Sequence, residues 1–516
     1  MQNLFSPQRH GERTEIHREK RNLCATLCYL CVSVVSLFFS SISFAQSSPI
    51  YVTLWFDTED YILPQSDDAA KRLAEMLTRL GIKATFKVVG EKARVLEQRG
   101  RKDVIAALKK HEIGYHSNYH SIHPTPAEYL QNTEWDEGVA EFYRREISGV
   151  KDIQRIFGVM PSCYGQPGSS WGPQSHAALK QMGINVYLDD SSHVGIDEQP
   201  FYYGGLLNIF KMGSNIVRMD LSGDDNLAKG KARFLKSYET LKAKGGGTIS
   251  IYFHPCEWVH QEFWDGVNFS RGANPERKDW KLPKTRTREE TEKAFKDFEE
   301  YAKFIQAQAG VRYVTANELK MLYADHTAMQ RITGDYRFVI AEAVQQEITF
   351  LQAGSFSLSA AEIFSLLTKV FLADHLDWRG AVRPQSLSGP TRAFVYDAAH
   401  PRPVKVRGAA FAQAVRDVAA FCQSQKRVPN EVWIGSQAIS PQDYLATLGA
   451  FTRMPQTKLP AEIEIAVGNF TADKYVANDD PRIFNWVIHP EGFHAPKLME
   501  LAKLQAWTLK PAVLRK

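Results

Sequence analysis

The chain has 516 residues, of which 44% are hydrophobic and 23% are charged, and its formal net charge is +5. This length exceeds what one compact core usually holds, so we expect two or three domains. The small positive charge is spread along the sequence, which excludes the concentrated basic surface of a nucleic-acid-binding protein.

The first 45 residues have the pattern of an export signal. Residues 1–22 are polar and basic-leaning, and residues 23–45 are apolar or small, carry no charge and end in Ser-Phe-Ala. This order predicts a signal peptide over residues 1–45, and thus an exported, periplasmic or extracellular protein. The apolar part also approaches the length of a membrane span, so an uncleaved N-terminal anchor is the alternative. No second stretch of this kind follows, which argues against a multi-span membrane domain.

The stretch at residues 50–61 changes from an apolar strand pattern to a cluster of acids. Val, Leu and Phe in residues 50–56 favour a buried strand, and Asp57, Glu59 and Asp60 follow within four positions. Neighbouring carboxylates repel one another unless a cation lies among them. The stretch therefore predicts a strand that brings acids to the rim of a metal-dependent hydrolase site.

Helical and strand patterns alternate after this point. One apolar face predicts a helix over residues 68–81, and residues 82–90 have the composition of a second strand. A further helix over residues 102–110 leads to a third strand at residues 111–115. This rhythm predicts a parallel α/β fold, in which functional groups collect at the carboxyl ends of the strands.

Histidines follow the third predicted strand. His116 and His120 are four residues apart. On a helical turn they would lie on one side, with about 5–6 Å between their Cβ atoms, which suits two imidazoles on one metal ion. Imidazole together with carboxylate favours zinc, with cobalt or nickel as alternatives. His123 fits neither spacing, and we expect it to have a structural role before Pro124.

Two later strands also end in polar residues. Residues 184–188 are strand-like and precede Asp189, and residues 248–253 precede His254. Both positions correspond to strand ends of the same predicted sheet, where catalytic groups are expected. After His254 comes a loop with the aromatic residues Trp258, Phe263 and Trp264 and the polar Asn268. Such a loop can stack on sugar rings, or it can pack over the mouth of the fold.

These clusters, in this order, resemble the polysaccharide deacetylase family, also called the NodB-homology family or carbohydrate esterase family 4. The resemblance covers roughly residues 50–325, so we take residues 46–325 as the catalytic domain. The family motif H-[ST]-x-x-H is matched by residues 116–120, His-Ser-Asn-Tyr-His. The resemblance implies a distorted (β/α) barrel with fewer strands than a TIM barrel.

The resemblance also implies the acid–base residues. It makes Asp57 the catalytic base, His254 the general acid, and Asp189 the acid that orients this histidine. The third family motif normally carries an arginine that pairs with the base. The matching loop at residues 161–171 contains no arginine. The sequence therefore leaves the cationic partner of Asp57 unidentified.

A divalent metal ion, most simply zinc, is the cofactor that the resemblance implies. His116 and His120 would hold it together with one carboxylate. An Asp-x-acid spacing favours Glu59, and Asp60 is the alternative. The residues predicted to contact the substrate are Gln166, Trp171 and Trp258.

The predicted activity is the metal-dependent removal of N-acetyl groups from a polysaccharide or cell-wall glycan outside the cytoplasm. The missing arginine motivates one alternative, a catalytically silent or altered relative that binds glycan. Hydrolysis of a non-sugar amide is a further alternative, because some relatives act on cyclic ureides.

Residues 330–516 predict a mainly helical C-terminal domain. Ser359 opens one apolar helix with a capping box, and Ser440 opens another with proline at the first helical position. This faint repeat weakly resembles the pseudomurein-binding type, which implies binding to glycan or cell wall. The alternative is a helical packing domain without a ligand. His489 and His494 are isolated in the sequence, and we expect both on the surface.

Overall fold

The computed structural model describes residues 49–515, except for 331, 333–335, 354–355, 374–381, 397–403, 453 and 455–457. The predicted signal peptide lies outside these described residues. Within them, no helix combines the length and the apolar character needed to cross a membrane.

The first strand is the centre of the main sheet. All nine residues of β1 (Ile50–Thr58) are buried, which agrees with the apolar run of a strand in a parallel sheet. On one side β1 pairs with β7 (Gly247–Phe253). On the other side β2 (Thr85–Val88) pairs with its carboxyl half and β8 (Val311–Val314) with its amino half. Next to β2 lies β3 (Glu112–Tyr115), and all these pairs are parallel.

The sheet continues beyond β3 through Tyr164, which bridges β3 to β4 (Val186–Leu188) in parallel orientation. Next to β4 lies β6 (Leu206–Ile209), followed by β5 (Phe201–Tyr203). The outermost strand, β15 (Lys510–Pro511), comes from the C-terminal end of the chain. The predicted α/β class is therefore confirmed, with parallel pairing from β8 and β7 through β6. At the far edge β5 and β15, which the sequence did not predict, pair in antiparallel orientation.

Helices separate these strands along the chain. They are α1 (Pro64–Arg79), α2 (Gly90–Gln98), α3 (Lys102–Leu108), α4 (Pro126–Leu130), α5 (Trp135–Phe157), α6 (Gln174–Gln181), α7 (Asn226–Ala243), α8 (Trp264–Phe269), α9 (Arg288–Gln306) and α10 (Ala316–Leu322). Helix α1 begins four residues before its predicted start, because Pro64 occupies the first helical position, where its missing N–H costs nothing.

The region after α10 is mostly helical, as predicted. Its helices are α11 (Tyr336–Gln346), α12 (Ala360–Leu372), α13 (Gly408–Gln425), α14 (Pro441–Phe451) and α15 (Pro496–Gln505). Its short strands form three two-stranded pairs, β9 (Leu351–Ala353) with β10 (Phe356–Leu358), β11 (Lys405–Arg407) with β14 (Glu462–Glu464), and β12 (Val432–Ile434) with β13 (Gln437–Ile439). Both predicted helix starts are confirmed, because the Ser359 and Ser440 hydroxyls accept backbone N–H groups of the first turn.

Two apolar clusters form most of the interior. The first surrounds the main sheet, and the second lies among the helices after residue 330. Several residues between Ala472 and Leu509 belong to the first cluster, so the end of the chain returns to the main sheet. Residues 49–516 form one compact unit. The division into a catalytic and a C-terminal domain stays a prediction, and the C-terminal residues contribute to both interiors.

The expected surface position of His489 is wrong. Only 4% of His489 is exposed, and its ring stacks on Phe493 with 4.6 Å between ring centroids. The nearby rings of Phe484, Trp486 and Phe493 cover it as this segment packs onto the first cluster. His494 is exposed as expected and pairs with Asp479.

Candidate active site

Three buried side chains meet beyond the carboxyl end of β1. Glu59 Oε2 lies 2.9 Å from His120 Nε2 and 3.4 Å from His116 Nε2. Each imidazole uses its other nitrogen within the protein. His116 Nδ1 donates to the carbonyl oxygen of Gly165 at 3.0 Å, and His120 Nδ1 pairs with the Ser121 hydroxyl at 2.6 Å. Both Nε2 atoms are therefore turned toward the Glu59 carboxylate.

This group fits a divalent metal ion. One atom from each of Glu59, His116 and His120 lies within 4.8 Å of the others, and all three residues are buried. Although the buried His120 Nε2 lies 2.9 Å from Glu59 Oε2, it makes no hydrogen bond with this oxygen or with another group in the described part of the protein. Such an unpartnered nitrogen is unfavourable unless a cation takes its lone pair. One carboxylate and two imidazoles also match the donor set that leaves room for water and substrate on a catalytic metal.

The two histidines reach this position through an irregular turn, and not through the helical turn that their spacing of four residues would also fit. Ser117 and His120 have positive φ angles of 61° and 57°. Helix α5 holds the turn in place, because the Glu146 carboxylate accepts the Asn118 N–H at 2.8 Å and the Tyr115 hydroxyl at 2.6 Å. The positions of the histidines thus depend on a distant buried acid, which local spacing does not reveal.

Glu146 makes the stability of the protein depend on pH. Burial raises the pKa of Glu146 to about 7, against the opposing effect of its hydrogen bonds. The folded protein therefore keeps a proton that the unfolded chain has lost, so stability falls as the pH rises through about 7. Between about pH 5 and about pH 8, wild type should lose about 3 kcal/mol relative to Glu146→Gln. Urea unfolding of both proteins at the two pH values measures this difference.

Glu137 lies at an exposed position of the same helix and provides the control. Glu137→Gln should follow wild type at both pH values, because an exposed carboxylate titrates similarly in the folded and unfolded chains. If the free energy of unfolding of wild type and of Glu146→Gln changed in parallel with pH, the raised pKa of Glu146 would be contradicted.

Glu59, and not Asp60, is placed with the histidines. Residues two apart on extended backbone point to the same side, so Glu59 follows Asp57 while Asp60 turns away. The Asp60 carboxylate accepts the Ile62 N–H at 2.8 Å and the Ser66 hydroxyl at 2.6 Å. His260 lies 3.1 Å from its second oxygen. The alternative role of Asp60 as metal ligand is therefore wrong, since this carboxylate already organises the start of α1.

Trp264 fixes the other oxygen of Glu59. Its indole Nε1 donates to Glu59 Oε1 at 3.1 Å, and the ring is fully buried. The interaction leaves Glu59 Oε2 free to face the two histidines. Trp264 belongs to the predicted aromatic loop, so part of this loop holds the Glu59 side chain in place.

A buried lysine lies between the other two acids. Lys87 Nζ is 2.9 Å from Asp57 Oδ1 and 2.8 Å from Asp189 Oδ2. The register of the sheet explains this contact, because Lys87 on β2 is the direct partner of Asp57 on β1. Gly114 and Gly165 leave space for the long side chain, since a Cβ at Gly165 would lie 2.0 Å from the ammonium.

Lys87 supplies the positive charge that the loop at residues 161–171 lacks. Although burial lowers the pKa of Lys87, the Asp189 and Asp57 carboxylates raise it above its ordinary value, so this lysine is charged. Asp57, His116 and Asp189 also come close enough together to resemble a second metal group. The ammonium already occupies the space between its two carboxylates, which leaves Glu59 and the histidines as the better metal site.

The expected role of Asp189 is wrong. Its carboxylate pairs with Lys87 and accepts the Asp190 N–H at 2.8 Å. Burial raises the pKa of Asp189 to about 7, although Lys87 opposes this change. His254 is instead oriented by Glu257, which follows it by three residues and accepts from His254 Nδ1 at 2.5 Å.

The contacts of His254 favour its charged imidazolium form. Arg218 pairs with the second oxygen of Glu257, so Arg218, Glu257 and His254 form a chain of charged contacts. Burial lowers the pKa of His254, but Glu59 and Glu257 more than compensate and raise it to about 9. His254 Nε2 then faces Asp57 Oδ2 at 3.7 Å. An acid and a base thus stand opposite each other beside the candidate metal ligands.

These groups open into one cleft of about 510 Å³. Predicted site residues along its wall are Asp57, Glu59, His116, His120, Gln166, Asp189 and His254. Trp171 and Trp258 are not among them, and their predicted substrate contacts are wrong. Trp171 is 1% exposed and stacks on His193, and Trp258 is fully buried against Phe298.

Several residues of the site were not predicted from the sequence. The signal for Lys87 is its position inside a strand that is buried on both faces, where an unpaired charge is rare. Glu257 could be found from the acid three residues after His254, a spacing that allows contact across one turn. Trp486, which lines the cleft from the C-terminal region, carries no local signal.

A family model described as polysaccharide deacetylase matches residues 45–187. The matched span contains Asp57, Glu59, Lys87, His116 and His120, which lie in the cleft or beside it. It ends before the strand that carries the general-acid candidate. No curated protein matches the sequence.

Matches to solved structures each cover about half of the chain. A Mycobacterium smegmatis protein described as a polysaccharide deacetylase is 15% identical, with a TM-score of 0.35, and the match covers 54% of this chain and 92% of that one. A family 4 acetyl xylan esterase from Clostridium thermocellum is 16% identical, with a TM-score of 0.28, over 53% of this chain and 91% of the esterase. The family model confirms the resemblance seen in the sequence over residues 45–187, which are less than half of the chain.

Proposed function

We propose that this protein is a metal-dependent hydrolase that removes N-acetyl groups from a polysaccharide or cell-wall glycan. The observation that carries the proposal is the common opening of three groups into one cleft. They are the metal-ligand set around Glu59, the Asp57 carboxylate that pairs with Lys87, and the His254 imidazole that pairs with Glu257. A deacetylase domain implies a glycan substrate, and the acidic cleft suits the hydroxyl and amide N–H donors of a sugar.

Glu59, His116 and His120 would hold the metal ion, which we propose to be zinc. When bound, a divalent ion supplies Lewis-acid chemistry that activates water and polarises the acyl oxygen. The protein supports this chemistry by fixing the ligands. Trp264 holds one oxygen of Glu59, and Gly165 fixes the tautomer of His116.

Asp57 is the proposed base. One of its oxygens is paired with Lys87, and the other faces the cleft toward His254. The free oxygen would accept a proton from the attacking water. Only 3% of Asp57 is exposed, so the Lys87 ammonium gives this buried carboxylate its cationic partner.

His254 is the proposed general acid. An amine leaves poorly unless it receives a proton, and a positioned acid is typically worth about 10²–10⁴ in rate. His254 Nε2 faces the cleft while Nδ1 donates to Glu257. It would therefore deliver its Nε2 proton to the leaving nitrogen, and Glu257 would keep the ring in the productive orientation.

The silent-relative alternative loses its main argument. That hypothesis rested on the missing arginine of the third motif. Lys87 offers an equivalent charge from a neighbouring strand and contacts the same carboxylate that the arginine would contact. This cation favours the catalytic proposal.

The test combines metal analysis with activity. His116→Ala and His120→Ala should each lose bound metal and lower the hydrolysis of acetylated glucosamine oligomers by at least about 10²-fold. His494→Ala is the control, because this histidine is exposed, pairs with Asp479 and is not part of the cleft wall. Retained activity in the two ligand variants would refute the mechanism. Metal binding by wild type without activity on glucosamine oligomers, peptidoglycan or simple amides would favour the silent relative.

Export is also part of the proposal. It rests on the basic, apolar and small-residue order of residues 1–45. Fusion of these residues to a reporter that is active only outside the cytoplasm should give a signal. N-terminal sequencing of the exported protein distinguishes cleavage near residue 45 from an uncleaved anchor.

A further inference from the structure

A segment from the C-terminal region forms part of the cleft wall. Residues of this segment that line the cleft are Arg482, Ile483, Asn485, Trp486 and Val487. They lie far beyond the span that the family model matches, which ends at residue 187. On the basis of the proposed function, we propose that Trp486 is the substrate-positioning residue of this hydrolase and forms the platform for the sugar ring that carries the acyl group.

Trp486 is fixed by contacts on several sides. Its indole Nε1 donates to Asp265 Oδ2 at 2.8 Å, and its backbone N–H donates to the Ser169 hydroxyl at 3.0 Å. One face of the ring rests on Gly168, where a Cβ would come within 2.2 Å of the indole. A ring held in this way loses little conformational freedom on binding, which favours a rigid platform.

The platform lies next to the reacting groups. The indole packs edge-to-face against His120, a proposed metal ligand, with 5.2 Å between ring centroids. On the side of the general acid, Phe263 packs edge-to-face on His254 at 5.0 Å and is 41% exposed. Aromatic surfaces therefore flank the metal ligands and the acid. A sugar ring presents apolar C–H groups on its faces and hydroxyl groups at its edges, which fits aromatic walls with acids between them.

Exposure separates Trp486 from the other tryptophans near the site. Trp171, Trp258 and Trp264 are each at most 1% exposed and cannot touch a ligand. Trp486 is only partly buried and belongs to the cleft wall. Among the described tryptophans, it is the one that lines the cleft. The C-terminal region thus contributes directly to substrate binding within the catalytic cleft.

The experiment compares Trp486→Ala, Trp486→Phe and wild type on tetra-N-acetylchitotetraose. Loss of the stacking contact should weaken substrate binding by about 1.4 kcal/mol. This change corresponds to a KM that is about tenfold higher in the alanine variant. We expect kcat to change less than KM, metal content to stay at the wild-type value, and phenylalanine to restore part of the affinity. On S-ethyl thioacetate, which has neither a sugar nor an aromatic ring, the increase in KM caused by Trp486→Ala should be smaller. Trp433→Ala is the matched control, because Trp433 is 57% exposed and absent from the cleft wall.

The outcomes separate this inference from the proposed function. The platform would be overturned by an unchanged KM, by loss of metal, or by an equal increase in KM on both substrates. In each case Trp486 would only pack within the fold or support His120. A wild type that binds the tetrasaccharide without hydrolysing it, and loses this binding in Trp486→Ala, would support the platform and refute the hydrolase. A wild type that neither binds nor hydrolyses the tetrasaccharide would overturn both.

Discussion

Replacement of Lys87 by methionine should lower kcat by about 10²-fold or more and destabilise the fold by about 3–5 kcal/mol. Methionine keeps most of the volume but removes the ammonium that lies 2.9 Å from Asp57 and 2.8 Å from Asp189. Two buried carboxylates would then face each other without a cation, which strongly disfavours their ionised forms. The base must be ionised to accept a proton, so catalysis should suffer even in the fraction that is folded.

Two further variants separate catalysis from stability. Lys92 is another buried lysine, paired with Asp67 outside the cleft wall. Lys92→Met should therefore lose comparable stability but keep most of kcat. Asp189→Asn leaves the Lys87–Asp57 pair intact and should cost less than about tenfold in kcat.

Bound metal should remain in the Lys87→Met protein, because Lys87 contacts none of the three proposed metal ligands. The measurements are kcat below the unfolding temperature, metal content and urea unfolding. Equal losses of kcat for the Lys87 and Lys92 variants would show that Lys87 is only structural.

The parts of the site that the sequence predicts are those whose chemistry is local. The acids after β1 follow an apolar run directly, and the two histidines lie within five residues of each other. The strand ends of a parallel sheet then explain why Asp57 and His254 come together, since β1 and β7 are neighbours. The choice between Glu59 and Asp60 needed the structure, because it depends on which side of the extended chain each acid faces.

The parts that escape the sequence depend on register or on distant segments. Lys87 contacts Asp57 because β2 pairs with β1 in one particular register, and a shift of one residue would turn the lysine to the other face. Trp486 reaches the cleft because the chain returns to the first apolar cluster near its end. Trp171 is likewise buried by rings from other segments, including those of His193 and Tyr203. No local pattern encodes such contacts.

The second large effect concerns Glu257. Glu257→Gln should lower kcat by about 10–10²-fold, because glutamine removes the charge that stabilises the His254 imidazolium. Without a bound ion, the carboxylates of Glu59 and Glu257 raise the pKa of His254 to about 9 against the effect of burial, and the Glu257 contribution persists when Glu59 holds a metal ion. Loss of one of them lowers this pKa, so less of the acid is protonated at alkaline pH. The alkaline limb of the pH profile of kcat/KM should therefore move to lower pH in the variant.

A double-mutant cycle shows whether Glu257 acts through the histidine. His254→Ala should reduce kcat by about 10²–10⁴-fold, and adding Glu257→Gln to it should have little further effect. Glu262→Gln, at an exposed position of the following loop, is the control and should leave the pH profile unchanged. If Glu257→Gln lowered kcat by the same factor in the presence and absence of His254, Glu257 would act by another route, such as holding Arg218. The non-additive result would identify Glu257 as the positioning residue that the sequence interpretation had assigned to Asp189.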